Sequence, residues 1–356
     1  MSEIAPGGAS VVVDTAAAPS HRVRDWVTAN AIIVVLVVLI LGIAFMDTSF
    51  VSLVNLRNIL NFSSTRLIIA LGAGIVLIAR GVDLSAGRMV GLAAVVSASM
   101  LQTETYSRRF FPDLPQIPMW LPILVAVGIC VVMGAINGVV IAKLRVPPFI
   151  ATLGMMVIVY GMNAIYFDSE PNNSQPIGGL RSDFTDLGTG AIGTGQFSIP
   201  YIVVIASAIA LVFWFVLNKT VFGKQVYALG GNPHAAQVSG VAIARDLIFI
   251  YAIAGATYGV GGVLEAARTG GANSTYGTLY ELDAIAACVV GGVSTAGGVG
   301  RVGGIVAGVL VFGVINYGLT FVGINPFWQQ IIKGAIIIGA VAFDLYRSRK
   351  QGLERV

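Results

Sequence analysis

Long apolar runs alternate with short polar connections along the whole chain. They lie near 30–46, 62–79, 85–101, 119–142, 149–167, 199–217, 246–264, 284–299, 302–322 and 329–346. Crossing about 30 Å of hydrocarbon takes roughly 20 apolar residues in a helix, so the pattern predicts an all-α integral membrane protein of about ten transmembrane helices. The stretches 80–100 and 284–302 hold enough glycine to be broken or re-entrant, and the sequence leaves that choice open. Residues 1–29 are rich in Ala, Ser, Pro and Gly, end in His21, Arg22 and Arg24, and cannot bury a core. They are expected to be a disordered cytoplasmic tail. The run from Asn30 to Phe45 is bulky and lacks an Ala-x-Ala exit, which favours a retained first anchor over a cleaved signal. The expected plan is a transmembrane domain over 30–346 and a second cytoplasmic tail over 347–356.

Composition sharpens this picture. The 356 residues are 56% hydrophobic and 11% charged, whereas soluble domains carry about 25% charged residues. A soluble fold is excluded. The placement of charge then sets orientation, because basic residues beside short loops stay in the cytoplasm. With the N-terminus inside, the cytoplasmic segments hold Arg22, Arg24, Arg80, Arg88, Lys143, Arg145, Lys219, Lys224, Arg245, Arg301, Arg347, Arg349, Lys350 and Arg355. The outer segments hold Arg57, Arg66, Arg108, Arg109, Arg181, Arg268 and Lys333, with most of the acidic residues. Both termini are therefore expected in the cytoplasm. The connection 168–198 falls outside and 218–244 inside. Cys130 and Cys288 each sit alone in an apolar run, which indicates neither a disulfide nor a metal site. Nothing suggests nucleic-acid binding.

Self-comparison reveals a repeat. Asp83-Leu84-Ser85-Ala86-Gly87-Arg88-Met89-Val90-Gly91 aligns without gaps to Asp283-Ala284-Ile285-Ala286-Ala287-Cys288-Val289-Val290-Gly291. Gly134-Ala135-Ile136-Asn137 followed by Pro148-Phe149 recurs as Gly313-Val314-Ile315-Asn316 followed by Pro326-Phe327. The paired segments fall on opposite membrane faces, so spans three to five and eight to ten form an inverted-topology repeat. Transporters commonly use such repeats to exchange inward and outward states around one pathway.

Several polar residues fall on this repeat. Asp83 and Asp283 each open an apolar helix, where a carboxylate accepts hydrogen bonds from unpaired N–H groups. Capping is the simpler expectation, and a hydroxyl acceptor or gate latch is the functional one. Asn137 and Asn316 lie inside apolar spans, where such residues usually bond across helices. With Ser85 and Glu281, these four residues make up the candidate pathway or gate. The chain has no Gly-x-x-x-x-Gly-Lys-Ser/Thr loop, and therefore no Walker-type nucleotide cradle. No hydrolytic triad or zinc motif is evident, and His21 and His234 are its two histidines. The chain is expected to be non-catalytic and to draw energy from a partner. An ion-coupled secondary transporter acting alone is the alternative, and a scaffold or channel is a third reading.

The inner connection reads Phe222-Gly223-Lys224 through Gly230-Gly231-Asn232-Pro233-His234-Ala235-Ala236 to Ser239-Gly240-Val241. Asn232 as N-cap, Pro233 at the first helical position and Gly240 as terminator predict a two-turn helix. It could dock on another protein or merely connect two spans. From about Thr48 to Tyr346 the chain resembles the permease subunits of monosaccharide ABC importers, the family of ribose, xylose and galactose permeases. The resemblance rests on this loop, on Gly81-Val82-Asp83-Leu84-Ser85-Ala86-Gly87, on Pro148-Phe149-Ile150-Ala151-Thr152-Leu153-Gly154 and on Tyr280-Glu281-Leu282-Asp283-Ala284-Ile285-Ala286-Ala287. It implies that Gly223, Gly230, Asn232, Ala235, Ala236, Ser239 and Gly240 couple the chain to an ATPase. It further implies a homodimer in the bacterial cytoplasmic membrane, a cytoplasmic ATPase holding the ATP and Mg that this chain lacks, and an extracytoplasmic sugar-binding protein. Galactose or methyl galactoside is the expected sugar, with ribose, xylose and arabinose left open.

Overall fold

The computed structural model describes residues 31–193, 195 and 198–350. The expected tail over 1–29 and the end of the other tail, 351–356, lie outside the described residues. The helices are α1 (Ala31–Met46), α2 (Leu53–Ile78), α3 (Ala86–Met100), α4 (Trp120–Lys143), α5 (Pro148–Asp168), α6 (Ser182–Thr189), α7 (Tyr201–Lys219), α8 (Val221–Gly231), α9 (Pro233–Val238), α10 (Ile243–Thr269), α11 (Tyr280–Val290), α12 (Val302–Phe321) and α13 (Pro326–Lys350). A two-residue hairpin, β1 (Ala191–Ile192) with β2 (Ile199–Pro200), closes the outer connection.

Among the described residues, six helices are long and apolar enough to cross a membrane: α2, α4, α5, α7, α10 and α12. The other four apolar runs correspond to α1, α3, α11 and α13. One expectation changes here and one open choice closes. First, α2 begins well before the apolar run at 62, because Asn55, Arg57, Asn58 and Asn61 interrupt the pattern without breaking the helix. Ser52 caps it by accepting from the Asn55 N–H at 3.2 Å. Second, the choice that the sequence leaves open for 284–302 is decided: the run 284–299 is broken and is not one helix. α11 starts at Tyr280 and stops at Val290, and Gly292, Gly297 and Gly298 in the following turns all have positive φ, a conformation that ends a helix. With 15 and 11 residues, α3 and α11 span only about 22 and 16 Å at 1.5 Å per residue, less than the hydrocarbon thickness.

Contacts fix the helix directions. α2 runs antiparallel to α10: Thr65 meets Glu265, Gly261 lies against Ile69, and Gly72 lies against Thr257 and Ala254. α4 is also antiparallel to α10, with Gly259 on Val127, Gly134 on Tyr251 and Gly138 on Ile248. α3 runs with α10, since Tyr251 reaches Val82 while Gly262 meets Val90 and Ala93. α11 runs with α2, from Tyr280 under Arg66 to the Cys288 thiol on the Ala70 carbonyl at 3.1 Å. Thus α3 and α11 point in opposite directions, as an inverted repeat requires. Their N-termini are apposed where Gly87 and Gly91 press on Gly277 and Tyr276. Glycine at these crossings lets backbones touch, which in lipid supplies packing that hydrophobicity cannot. α2, α10 and α12 form the buried centre, whereas α4, α5 and α7 expose apolar side chains such as Leu124, Ile165 and Leu211.

Candidate translocation core and cytoplasmic tip

The first candidate cluster forms where the chain leaves α2, turns at Arg80 with φ 64°, and re-enters the bundle before α3. Asp83 is 2% exposed. Its Oδ1 accepts from the Ser85 N–H at 2.9 Å and from the Ser85 hydroxyl at 2.5 Å. Asn137 on α4 donates to that hydroxyl at 3.0 Å. Thr152 on α5 and Tyr251 on α10 both reach the Val82 carbonyl, at 3.3 and 3.4 Å. The structure therefore joins Asp83, Ser85 and Asn137 into one buried chain of hydrogen bonds that holds a non-helical segment among three helices. The Tyr258 hydroxyl lies beside the carboxylate, and among the described residues Asp83 Oδ2 closes no hydrogen bond of ordinary geometry. An unsatisfied buried oxygen is costly.

Glu281, Asp283 and Asn316 lie apart from this chain. Glu281 is buried with its carboxylate against Gly87. Asp283 is not a cap: it is already inside the first turn of α11 and accepts from Lys333 Nζ on α13 at 3.3 Å. Asn316 donates to the Phe312 carbonyl of its own helix at 2.9 Å, so it does not repeat the cross-helix role of Asn137. Asp283 and Asn316 do share a small cavity with Phe62, Arg66 and Tyr280.

Beside that cavity is a network that sequence reasoning missed. Glu265, 3% exposed, accepts from Thr65 at 2.9 Å, from Arg268 at 2.9 Å and from Tyr280 at 3.1 Å. Arg66 stands 3.9 Å from Glu265, with its guanidinium 3.2 Å from the Tyr280 ring centre. The missed signal was Arg66 itself, an ionisable residue inside the predicted span 62–79. Arg88 gave the same signal inside 85–101, and its expected place in the cytoplasm is corrected below.

On the cytoplasmic side the expected single short helix is two. α8 forms inside the connection 218–244, where Gly223, Gly230 and Gly231 mask a helical pattern in the sequence. Asn232 caps α9 by accepting from the Ala235 N–H at 3.0 Å, and Pro233 opens it. α9 runs to Val238 and Gly240 terminates it as expected: with φ 84° it takes the left-handed position after the cap, where its N–H donates to the Gln237 carbonyl and the Val241 N–H to the Ala236 carbonyl, each at 3.0 Å. Gly223 and Gly230 face inward: a Cβ on Gly223 would strike the carbonyls of Val216 and Leu217, and one on Gly230 the Ile78 carbonyl and Gly298 amide. Asn232, Ala235, Ser239 and Gly240 are exposed, Ala236 is buried, and Val238 is 90% exposed.

A helical bundle with two apposed short helices inside it and a helical tip beyond it defines a membrane permease. The chain belongs to the family described as branched-chain amino acid transport system permease component, whose pattern matches residues 55–341. It is similar to the galactose/methyl galactoside import permease protein MglC of Haemophilus influenzae, 53% identical over 92% of this chain and 97% of the relative. The protein of that name from Salmonella typhimurium is 52% identical over 90% and 94%. The ribose import permease protein RbsC of Escherichia coli is 33% identical over 94% and 99%. Relatives named for sugars show that the family is not confined to amino acids. No solved structure matches the chain.

Proposed function

We propose that this chain is the membrane-spanning permease of an ABC sugar importer in the bacterial cytoplasmic membrane, carrying galactose or methyl galactoside. The observation that carries the reading is the 52–53% identity over nearly the whole length of permeases named for those sugars. Two copies of the chain enclose the pathway. A loaded sugar-binding protein docks on the outer face, and a cytoplasmic ATPase holds ATP and Mg. Closure of the ATPase moves the tip formed by α8 and α9, and the bundle alternates between outward and inward states. In this reading Asn232, Ala235, Ser239 and Gly240 meet the ATPase from their exposed positions. Gly223, Gly230 and Ala236 act from beneath, by seating the tip on the bundle. Asp83, Ser85 and Asn137 hold the re-entrant segment, while Glu281, Asp283 and Asn316 belong to the pathway or its gate. Ten spans with both termini inside complete the topology.

The test is reconstitution of the chain in liposomes with its ATPase and binding protein, followed by uptake of labelled galactose. Uptake that needs all three components and ATP is the expected result. Uptake by the chain alone that survives ATP depletion and collapses with an ionophore would establish the ion-coupled alternative. Replacing Asn232 or Gly240 with Trp is expected to abolish ATP-driven uptake while leaving a monodisperse protein on size exclusion, whereas normal uptake would sink the coupling role.

A further inference from the structure

The first turn of α3 carries a charge at a depth where a lipid-facing surface is costly for one. Arg88 immediately precedes Met89, whose carbonyl accepts from Cys130 near the middle of α4 at 3.4 Å. The next residue, Val90, lies against Gly262 of α10. Arg88 is thus at the centre of the bundle rather than at its cytoplasmic edge. Its guanidinium lies 4.7 Å from the centre of the Tyr160 ring and donates to the Thr278 hydroxyl at 3.2 Å.

The group is open on one side. Tyr160, midway along α5, is 50% exposed, and Thr275, Thr278 and Leu279 before α11 are exposed too. A single copy therefore shows an arginine, a tyrosine and threonines on its flank at mid-depth. Tyrosine at a lipid boundary prefers the headgroup level, and a charge in hydrocarbon is expensive. At comparable depth on other faces the flank is apolar, as at Val132 on α4 and Val212 on α7. The patch must face protein or water.

We propose that Arg88, Tyr160 and Thr278 line the midplane of the sugar pathway, on a face closed by a second copy of the chain, and that Arg88 donates to sugar hydroxyls there. The proposal rests on the sugar-permease reading above. Its chemistry fits a neutral monosaccharide. One of the five guanidinium N–H donors goes to Thr278 and others remain for hydroxyl acceptors. The exposed Tyr160 ring offers a flat surface to the C–H face of a pyranose. The Glu281 carboxylate lies against Gly87, the residue next to Arg88, and an acidic neighbour there suits a neutral sugar better than an anion. A passing sugar would exchange the arginine's contacts with Thr278 and Tyr160 for its own hydroxyls, a weak and reversible grip that suits passage.

The test uses the full chain in liposomes with its ATPase and binding protein, and a membrane-impermeant methanethiosulfonate reagent. Cys130 and Cys288 are fully buried, so the unmodified chain supplies the background. Thr278→Cys and Tyr160→Cys are each expected to react about tenfold or more faster than Val212→Cys, since water reaches a pathway and not a lipid-facing surface. Arg88→Met is expected to lower ATP-driven galactose uptake about tenfold with assembly on the ATPase unchanged. Labelling of Thr278→Cys and Tyr160→Cys no faster than Val212→Cys overturns the proposal. Fast labelling with wild-type uptake by Arg88→Met overturns the contact assigned to Arg88. Fast labelling in a chain that carries no galactose at all would reject the sugar reading and leave the pathway in place.

Discussion

Single residues in this protein differ sharply in what a small change should do, even when their types are the same. Gly230 and Gly240 both lie near the cytoplasmic tip. At Gly230 an added Cβ meets the backbone of Ile78 and Gly298, and backbone cannot step aside. Gly230→Ala should destabilise the fold by about 1–3 kcal/mol, the usual cost of overpacking, read as a lower thermal midpoint in detergent. Gly240 has nothing within 4 Å and a φ of 84°, so Gly240→Ala carries only backbone strain of about 1–2 kcal/mol. The two asparagines of the repeat should separate in the same way. Asn137→Leu removes a bond between helices and should cost about 0.6 kcal/mol and at most about 1.7, the average and the maximum for polar contacts between membrane helices. Asn316→Leu removes a bond within its own turn and should cost less, both values being read from denaturant titration in mixed micelles.

Among the elements, the Glu265 network ties α2, α10 and α11 together through Arg66, Arg268 and Tyr280. Glu265→Gln would leave two arginines facing a neutral amide in the bundle, and breaking a buried ion pair on one side costs about 3–5 kcal/mol. A drop in thermal midpoint larger than that of any substitution above is the expected outcome, and a change within error would show that water already screens the site. This network also marks where sequence reading fell short. The long helices were legible because an unbroken apolar run has one stable answer in lipid. α8 was not, because Gly223 and Gly230 look like breakers until their neighbours are known. The run 284–299 was legible only as far as an open choice: its glycines allow a break, but its apolar character allows a span too, and the positive φ of Gly292, Gly297 and Gly298 that decides for the break is something no hydropathy sum records.

At the scale of the whole molecule, the inverted repeat was legible from a handful of identities, and the opposed directions of α3 and α11 agree with it. Its chemistry was not. Asp83 and Asp283 align in sequence, but one ties down a re-entrant segment and the other pairs with Lys333, so the two halves share a backbone plan and diverge in side-chain function. Depth was the other blind spot, since Arg88 read as a cytoplasmic charge until the helices around it were assembled.

The seat of the tip has a consequence for how such proteins can vary. Where Gly230 rests on Ile78 and Gly298, main chain touches main chain, and the Gly298 N–H closes on the Ile78 carbonyl at 2.8 Å. Such a joint leaves no side chain between the end of α8 and the end of α2, so the two helix ends are seated directly on one another. On the reading proposed above, in which the tip meets the ATPase, the exposed rim at His234, Gln237 and Val238 can change without touching this joint, while a side chain at position 230 would have to be matched by a shift of the joint beneath it.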